Sequence, residues 1–343
     1  MTKKQLLKTL IGFLSAGVTM ANTVDIYAHR GFRALAPENT LPAYTEALRI
    51  GVDALDMDIN MTKDHILVVT HDFTLNPELT KNKSGKWIKK AIPIKDLTLS
   101  ELKSYTVGEI KPNSSLARLY PHHQDMKNVH IPTLVEVINF VKQSVGDRVK
   151  LQIEIKTDPY QPKLSYSAKE MANALYQVLR QTGMTHNVEV QAFEWQALVD
   201  LHKLNPAIKT AYLTDHTTDP MNPSQDSHPS AQNLWTFPLK PADFNYDYPK
   251  MVKHLGGTLW EPFEIDLSHE TLQKAYSLGL KVVTWSWSEA EGSDFNYPVI
   301  NQLIQWNVDG IITDRPDILR GLEAANGLDL PTAYPDTPYA END

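Results

Sequence analysis

The 343-residue chain reads as an α/β protein: a (β/α)8 TIM barrel with an insertion after the second strand region. Three observations predict it. Strand-like and helix-like segments alternate from end to end in about eight units. No glycine-rich dinucleotide or phosphate loop follows any strand, which argues against an open doubly wound sheet. Polar, chemistry-bearing residues gather at the C-terminal ends of the strands, where such a barrel keeps its active site.

Residues 1–21 carry the marks of a signal peptide. Lys3, Lys4 and Lys8 precede apolar Leu10 to Val18, and small residues lead to a cut after Ala21. That stretch is too short to span a bilayer, and no integral membrane segment is expected in the mature chain, which reads as periplasmic or secreted. Val24 to His29 is a buried strand. Thr40 to Ile50 has helical spacing, with Asn39 or Thr40 as cap. Asp53 to Ile59 and Ile66 to His71 are strands joined by the turn Thr62-Lys63-Asp64-His65. An insertion at about 74–130, with one helix at Leu99 to Tyr105, is expected beside the barrel mouth. Later strands are read at Val149 to Ile155, Val188 to Phe193, Ile208 to Leu213, Gly257 to Trp260, Lys281 to Trp287 and Val308 to Thr313. Helices are read at Pro132 to Ser144, Tyr166 to Thr182, Trp195 to Leu204, Ser268 to Leu278, Pro298 to Trp306 and Pro316 to Ala325. Asp215 to Tyr248 reads as a surface excursion in which His216 and His228 are solvated. The barrel domain covers 22–326, and the polar, proline-bearing tail 327–343 is expected to be flexible.

Composition narrows the function. The formal charge is −8, and loss of the leader lysines makes it more negative. No basic run exists, which argues against nucleic acid and anionic lipid as partners. The chain has no cysteine, which removes disulfides, thiolate metal sites, a lipoprotein anchor and cysteine nucleophiles.

The chemistry lies at the strand ends. His29 and Arg30 close the first strand. Asp56 and Asp58, two apart, project from one face of the second. Like charges there are costly unless a cation or several donors sit between them. His71 ends the hairpin strand, Glu154 and Lys156 repeat the two-apart arrangement, and Trp285 lies late in another strand. Asp56, Asp58 and Glu154 form an oxygen-only set suited to one divalent cation, Ca²⁺ or Mg²⁺. Arg30 and Lys156 suit a phosphate, and two histidines supply a general acid and a general base. The sum is metal-assisted cleavage of a phosphoester. In the alternative, Asp56 and Asp58 are ion-pair partners of Arg30 and Lys156 without metal. Trp287 reads as rim packing, and Asp309 and Asp314 as caps of the last strand and helix.

The motifs Ala28-His29-Arg30-Gly31, Pro37-Glu38-Asn39-Thr40, Asp56-Met57-Asp58, Thr62-Lys63-Asp64 and His71-Asp72 stand in order. They are followed by Ile131-Pro132-Thr133-Leu134, Glu154-Ile155-Lys156, Gln191-Ala192-Phe193, Trp285 and the run Val308 to Pro316. Together they resemble the glycerophosphodiester phosphodiesterase family, in its periplasmic-type branch, from about Val24 to Leu322. The resemblance implies a TIM barrel that hydrolyses small-molecule glycerophosphodiesters to sn-glycerol 3-phosphate and an alcohol, using a divalent metal. It implies catalytic roles for His29 and His71, phosphate binding by Arg30 and Lys156, and metal ligation by Asp56, Asp58 and Glu154. It also implies an aromatic contact from Trp285 near the glycerol, and attack by the glycerol 2-hydroxyl to give a cyclic phosphate that water opens. Three positions depart from the family pattern. Asp56 replaces the usual Glu, His65 replaces a Gly where positive φ is expected, and Asn76 and Pro77 stand where an Arg is common. A lysophospholipase D-like or sphingomyelinase D-like phosphodiesterase is the second reading, and a noncatalytic phosphodiester-binding barrel the third.

Overall fold

The computed structural model describes residues 23–215 and 233–339; the expected leader, His216 and His228 lie outside the described residues. The strands are β1 (Asp25–Ala28), β2 (Ala54–Met61), β3 (Leu67–Val69), β4 (Thr74–Leu75), β5 (Ile92–Pro93), β6 (Lys150–Ile155), β7 (Val188–Ala192), β8 (Lys209–Thr214), β9 (Leu259–Pro262), β10 (Lys281–Trp285) and β11 (Gly310–Thr313). The helices are α1 (Leu41–Ile50), α2 (Leu99–Leu102), α3 (Ser115–Leu119), α4 (Leu134–Val145), α5 (Ala168–Thr182), α6 (Trp195–Leu204), α7 (Tyr248–His254), α8 (His269–Ser277), α9 (Ser288–Glu291), α10 (Tyr297–Trp306) and α11 (Pro316–Ala325). From β1 through β2 and β6 to β11 the strands run parallel, and β11 pairs back onto β1, closing the (β/α)8 barrel. β3 lies antiparallel on β2 as the expected hairpin strand.

Period-two alternation decides what each side of the wall carries. Leu55, Met57 and Ile59 of β2, and Leu151, Ile153 and Ile155 of β6, join the core packed under the helices. Tyr27, Ala54, Ala211, Leu259, Val283 and Ile312 form a separate apolar cluster that fills one layer of the barrel. The helices start where cap chemistry says they should. Thr40, Thr133, Ser167 and Ser268 each accept a hydrogen bond from the first turn of α1, α4, α5 and α8.

The structure departs from the sequence reading at several points: the strand read to Trp287 ends at Trp285 and the short helix α9 follows it, and three further differences bear on the fold. Helix α7 falls where no helix was read. Asp247 caps it and a Pro follows in the first turn, but its buried face is short and sits directly after the Pro/Asp-rich excursion. The insertion is more structured than expected, with the β4–β5 pair, α2 and α3. It holds a small core of its own, in which Ile110, Leu116 and Tyr120 surround Ala34. The expected flexible tail is corrected for its described part, which is tied down. Tyr334 N donates to Leu48 O (2.9 Å), Thr337 O accepts from Arg49 Nε (2.9 Å), and Pro331 O accepts from Arg320 (2.8 Å). The tail passes so close to Gly51 (φ 89) that a Cβ there would lie 2.8 Å from Ala333 N. The proline and polar composition suggested fraying, but the backbone groups find partners on α1 and α11. Among the described residues no helix is long and apolar enough to cross a membrane.

Candidate active site

The same alternation that buries Leu55 and Met57 outside turns Asp56 and Asp58 inward. The β2–β6 register sets Asp56 beside Gln152 and Asp58 beside Glu154. The loop after β1 closes over them. Arg30 (φ 50) and Gly31 (φ 89) both take left-handed backbone, and a Cβ on Gly31 would stand 2.7 Å from Ala43 Cβ. Only glycine lets the loop pass this close to α1. The turn aims Arg30 N–H at Asp56 Oδ2 (3.2 Å). Asn39, also left-handed at φ 57, donates to Asp58 Oδ2 (2.8 Å) and accepts from Asp58 N (3.2 Å) and Tyr44 OH (3.1 Å).

A cavity of about 310 Å³ opens here, lined by His29, Arg30, Asp56, His71, Glu154, Lys156 and Trp285 among others. Asp58 lies buried beside it, 3.5 Å from Arg30 Nε and 4.0 Å from Lys156 Nζ. The structure therefore brings every sequence-read site residue to one rim. A larger groove of about 1060 Å³ runs between α4 and the tail and contains none of them.

The carboxylates are not gathered as a ligand set. Lys156 Nζ sits 2.6 Å from Glu154 Oε1, Gln191 Nε2 donates to Asp56 (2.5 Å), and Arg30 and Asn39 hold Asp58. Among the described residues, no three His, Asp or Glu side chains are placed to hold a metal ion. The expected convergence of Asp56, Asp58 and Glu154 is corrected to this extent: the chain's own cations and amides take up the carboxylates. The donor chemistry nonetheless fits a hard cation. Burial pushes Asp56 up to about 6, with Asp58 adding repulsion. Burial pushes Glu154 up to about 7, Asp58 and Asp56 again adding repulsion while Lys156 opposes. Against its burial, the charges of Arg30 and Lys156 and the hydrogen bond from Asn39 hold Asp58 low. A divalent cation among these groups would favour their ionised forms against the burial and the added repulsion that hold the first two up.

The two histidines face different surroundings. His29 Nδ1 lies 2.5 Å from Asp314 Oδ1. Burial alone would raise the Asp314 carboxyl, but His29 and Arg33 outweigh it and hold it well below the ordinary range. Asp314 was read as a cap; the structure corrects this. Arg315 is the cap residue of α11 and makes no side-chain cap bond, while the Asp314 carboxylate points to the site. Asp309 keeps the structural role read for it, accepting from Val282 N (2.8 Å). His71 Nδ1 lies 2.9 Å from Asp72 Oδ1. Burial, then the charges of Arg30 and Lys156, push His71 well below its ordinary value, so its neutral form is favoured.

Arg33, Glu38 and Tyr120 escaped sequence reading as site residues. Glu38 bridges Arg30 (2.9 Å) and Arg33 (2.7 Å), and Arg33 also pairs with Glu289. The Pro37-Glu38-Asn39-Thr40 motif was a signal for Glu38; Tyr120 carried none. Trp285 is held edge-on to Phe193 (5.5 Å) and stacked on Phe263 (4.8 Å), its Nε1 donating to Glu261 O (3.1 Å). Trp287 lines the cavity with Leu79 and Leu116 of the insertion. His65 has φ 60, so the turn that usually holds glycine does demand left-handed backbone.

A closed barrel whose C-terminal mouth sets imidazoles, cations and buried carboxylates around one cavity defines a hydrolase for anionic esters. The glycerophosphoryl diester phosphodiesterase family model matches residues 29–318, and the chain belongs to that family. A glycerophosphodiester phosphodiesterase of Caldanaerobacter subterraneus is 27% identical over 303 residues, covering 88% of this chain and 98% of the relative. A solved Silicibacter pomeroyi protein assigned to the glycerophosphoryl diester phosphodiesterases superposes with a TM-score of 0.76 at 26% identity, covering 90% of this chain and 95% of that one. A phosphodiesterase of Oleispira antarctica, solved with the product sn-glycerol-3-phosphate, shares the fold at TM-score 0.62 and 21% identity, covering 88% and 96%.

Proposed function

We propose that this chain hydrolyses glycerophosphodiesters to sn-glycerol 3-phosphate and an alcohol by two-histidine acid–base catalysis. The observation that carries the reading is the convergence of His29, His71, Arg30 and Lys156 on one cavity beside three buried carboxylates. Arg30 and Lys156 bind the phosphate. Neutral His71 takes the proton from the glycerol 2-hydroxyl as that oxygen bonds to phosphorus. His29, oriented through Nδ1 by the Asp314 carboxylate, gives a proton to the departing alkoxide as the phosphorus–oxygen bond to the alcohol breaks. Water then opens the cyclic phosphate with the histidine roles exchanged. One Ca²⁺ or Mg²⁺, held by Asp56, Asp58 and Glu154, would supply further charge neutralisation for the phosphate. The glycerol contacts Trp285.

The deciding experiment compares turnover of glycerophosphocholine and lysophosphatidylcholine by the mature protein with Ca²⁺ or Mg²⁺. Release of glycerol 3-phosphate from the first supports the reading, and no turnover of either supports a noncatalytic binding barrel. The apolar wall of Leu79, Leu116 and Trp287 favours lysophospholipids as the second substrate class, as in a lysophospholipase D or sphingomyelinase D-like enzyme. The basic start, short apolar stretch and small residues of the first 21 positions support a periplasmic or secreted location and the periplasmic-type branch. Mass spectrometry of the N-terminus of the exported protein tests that; an intact Met1 would refute it.

A further inference from the structure

The insertion reaches the His29 side of the catalytic machinery through Tyr120. Tyr120 is buried and packs with Ala34, Ile110 and Leu116; it follows the last residue of α3, and its own N–H donates back to Leu116 O (2.8 Å). Its hydroxyl donates to Asp314 Oδ2 (2.7 Å). Ser288 Oγ donates to the same oxygen, and Arg33 Nη1 lies 3.6 Å from it. Arg33 also lies over the Tyr120 ring at 5.2 Å. The other oxygen, Oδ1, faces His29 Nδ1.

A carboxylate held at one oxygen by two hydroxyls cannot swing about its Cβ–Cγ bond without breaking both contacts. Its second oxygen is then fixed on Nδ1 of the imidazole. That fixes the tautomer and turns Nε2 to the reacting groups. Burial, then the Asp314 charge, push the phenol well above its ordinary value, so it remains a donor.

We propose that Tyr120 is a positioning residue for the proton transfer at His29, acting through Asp314. The insertion thereby belongs to the catalytic apparatus as well as to the cavity wall. This rests on the two-histidine reading, and the test separates the two. Tyr120→Phe removes the hydroxyl and keeps the ring. It should lower kcat for glycerophosphocholine about five- to twentyfold with KM changed less than about twofold. In an Asp314→Asn background the same substitution should change kcat by less than about twofold, because the acceptor charge it served is gone. Equal losses in both backgrounds, or a loss confined to KM, would mark a packing role and overturn the proposal. Wild-type kcat in Tyr120→Phe overturns it too. If the variant loses thermal stability, the cycle still decides, since it compares kcat of folded protein with and without the carboxylate. His29→Ala runs alongside. If that variant is inactive while Tyr120→Phe is silent, only the Tyr120 inference falls; if it turns over normally, the two-histidine reading falls and the Tyr120 role with it.

Discussion

Glu323 on α11 offers a stability test with a sign that can be worked out. Its side chain is 0% exposed, and both carboxyl oxygens lack a hydrogen-bond partner among the described residues. Burial first, then repulsion from Asp53 and Asp25 against the pull of Arg320, pushes it up to about 9 from 4.5. Between those values the native state keeps a proton that the unfolded chain releases. Native protein therefore binds more protons, and stability falls as pH rises through this window. At pH 7 the gap from the ordinary value corresponds to about 3 kcal/mol at about 1.4 kcal/mol per unit. Glu323→Gln keeps the shape and removes the titration. Urea denaturation at pH 4.5, 7 and 9 should show the variant near wild type at the lowest pH, up to about 3 kcal/mol more stable at pH 7, and further ahead at pH 9. Asp53, raised to about 6 by burial, contributes with the same sign in both proteins. A stability difference that does not change with pH would refute the argument, because an ionisation must leave a pH signature.

Removal of divalent cations with EDTA should abolish hydrolysis, and Ca²⁺ or Mg²⁺ should restore it; full activity after exhaustive chelation would end the metal proposal. His29→Ala and His71→Ala should each lower kcat by at least about 10², measured on protein whose thermal unfolding is unchanged, and near wild-type turnover in either would make that histidine structural. Asp56→Glu should be tolerated and shift the ratio of Ca²⁺- to Mg²⁺-supported activity, since a longer carboxylate alters a site that Mg²⁺ demands to be short and octahedral; an unchanged ratio and affinity would mean that the length of residue 56 does not tune the site. His65→Gly relieves a left-handed φ of 60 and should raise stability by up to about 1 kcal/mol, whereas a clear loss would mean that the contact of His65 with Tyr166 (5.3 Å) outweighs the backbone strain.

The barrel was legible because its signals are local. Alternation within β2 and β6 needs only neighbouring residues, and it put Asp56, Asp58 and Glu154 on the inner face before any pairing was known. Helices α6 and α11 have the bounds read from apolar spacing. Helix α7 escaped because its buried face is short and its cap follows a run of loop-forming residues. The tail escaped because composition reports what a segment can bury. It does not report that α1 and α11 leave acceptors and donors for Tyr334, Pro331 and Thr337.

The site was legible as a list of residues and not as a set of partnerships, and the reason is physical. Which carboxylate serves which cation depends on side-chain torsions and on residues far apart in the chain. His29 and Asp314 are separated by 285 positions and Tyr120 and Asp314 by 194. No periodicity spans such gaps. Asp314 illustrates the ambiguity: an aspartate just before a Pro-initiated helix has a good local reason to be a cap, and the local reason was wrong. At that position a barrel strand ends, so the backbone that would let Asp314 cap α11 also lets it face the mouth. What decides between the two is the presence of cations there. His29 and Arg33 stabilise the ionised carboxylate against burial, whereas at the helix start it would gain a single backbone donor. An aspartate that ends a barrel strand is therefore drawn to the mouth when the first βα loop brings a histidine and an arginine to it, as His29 and Arg33 are brought here.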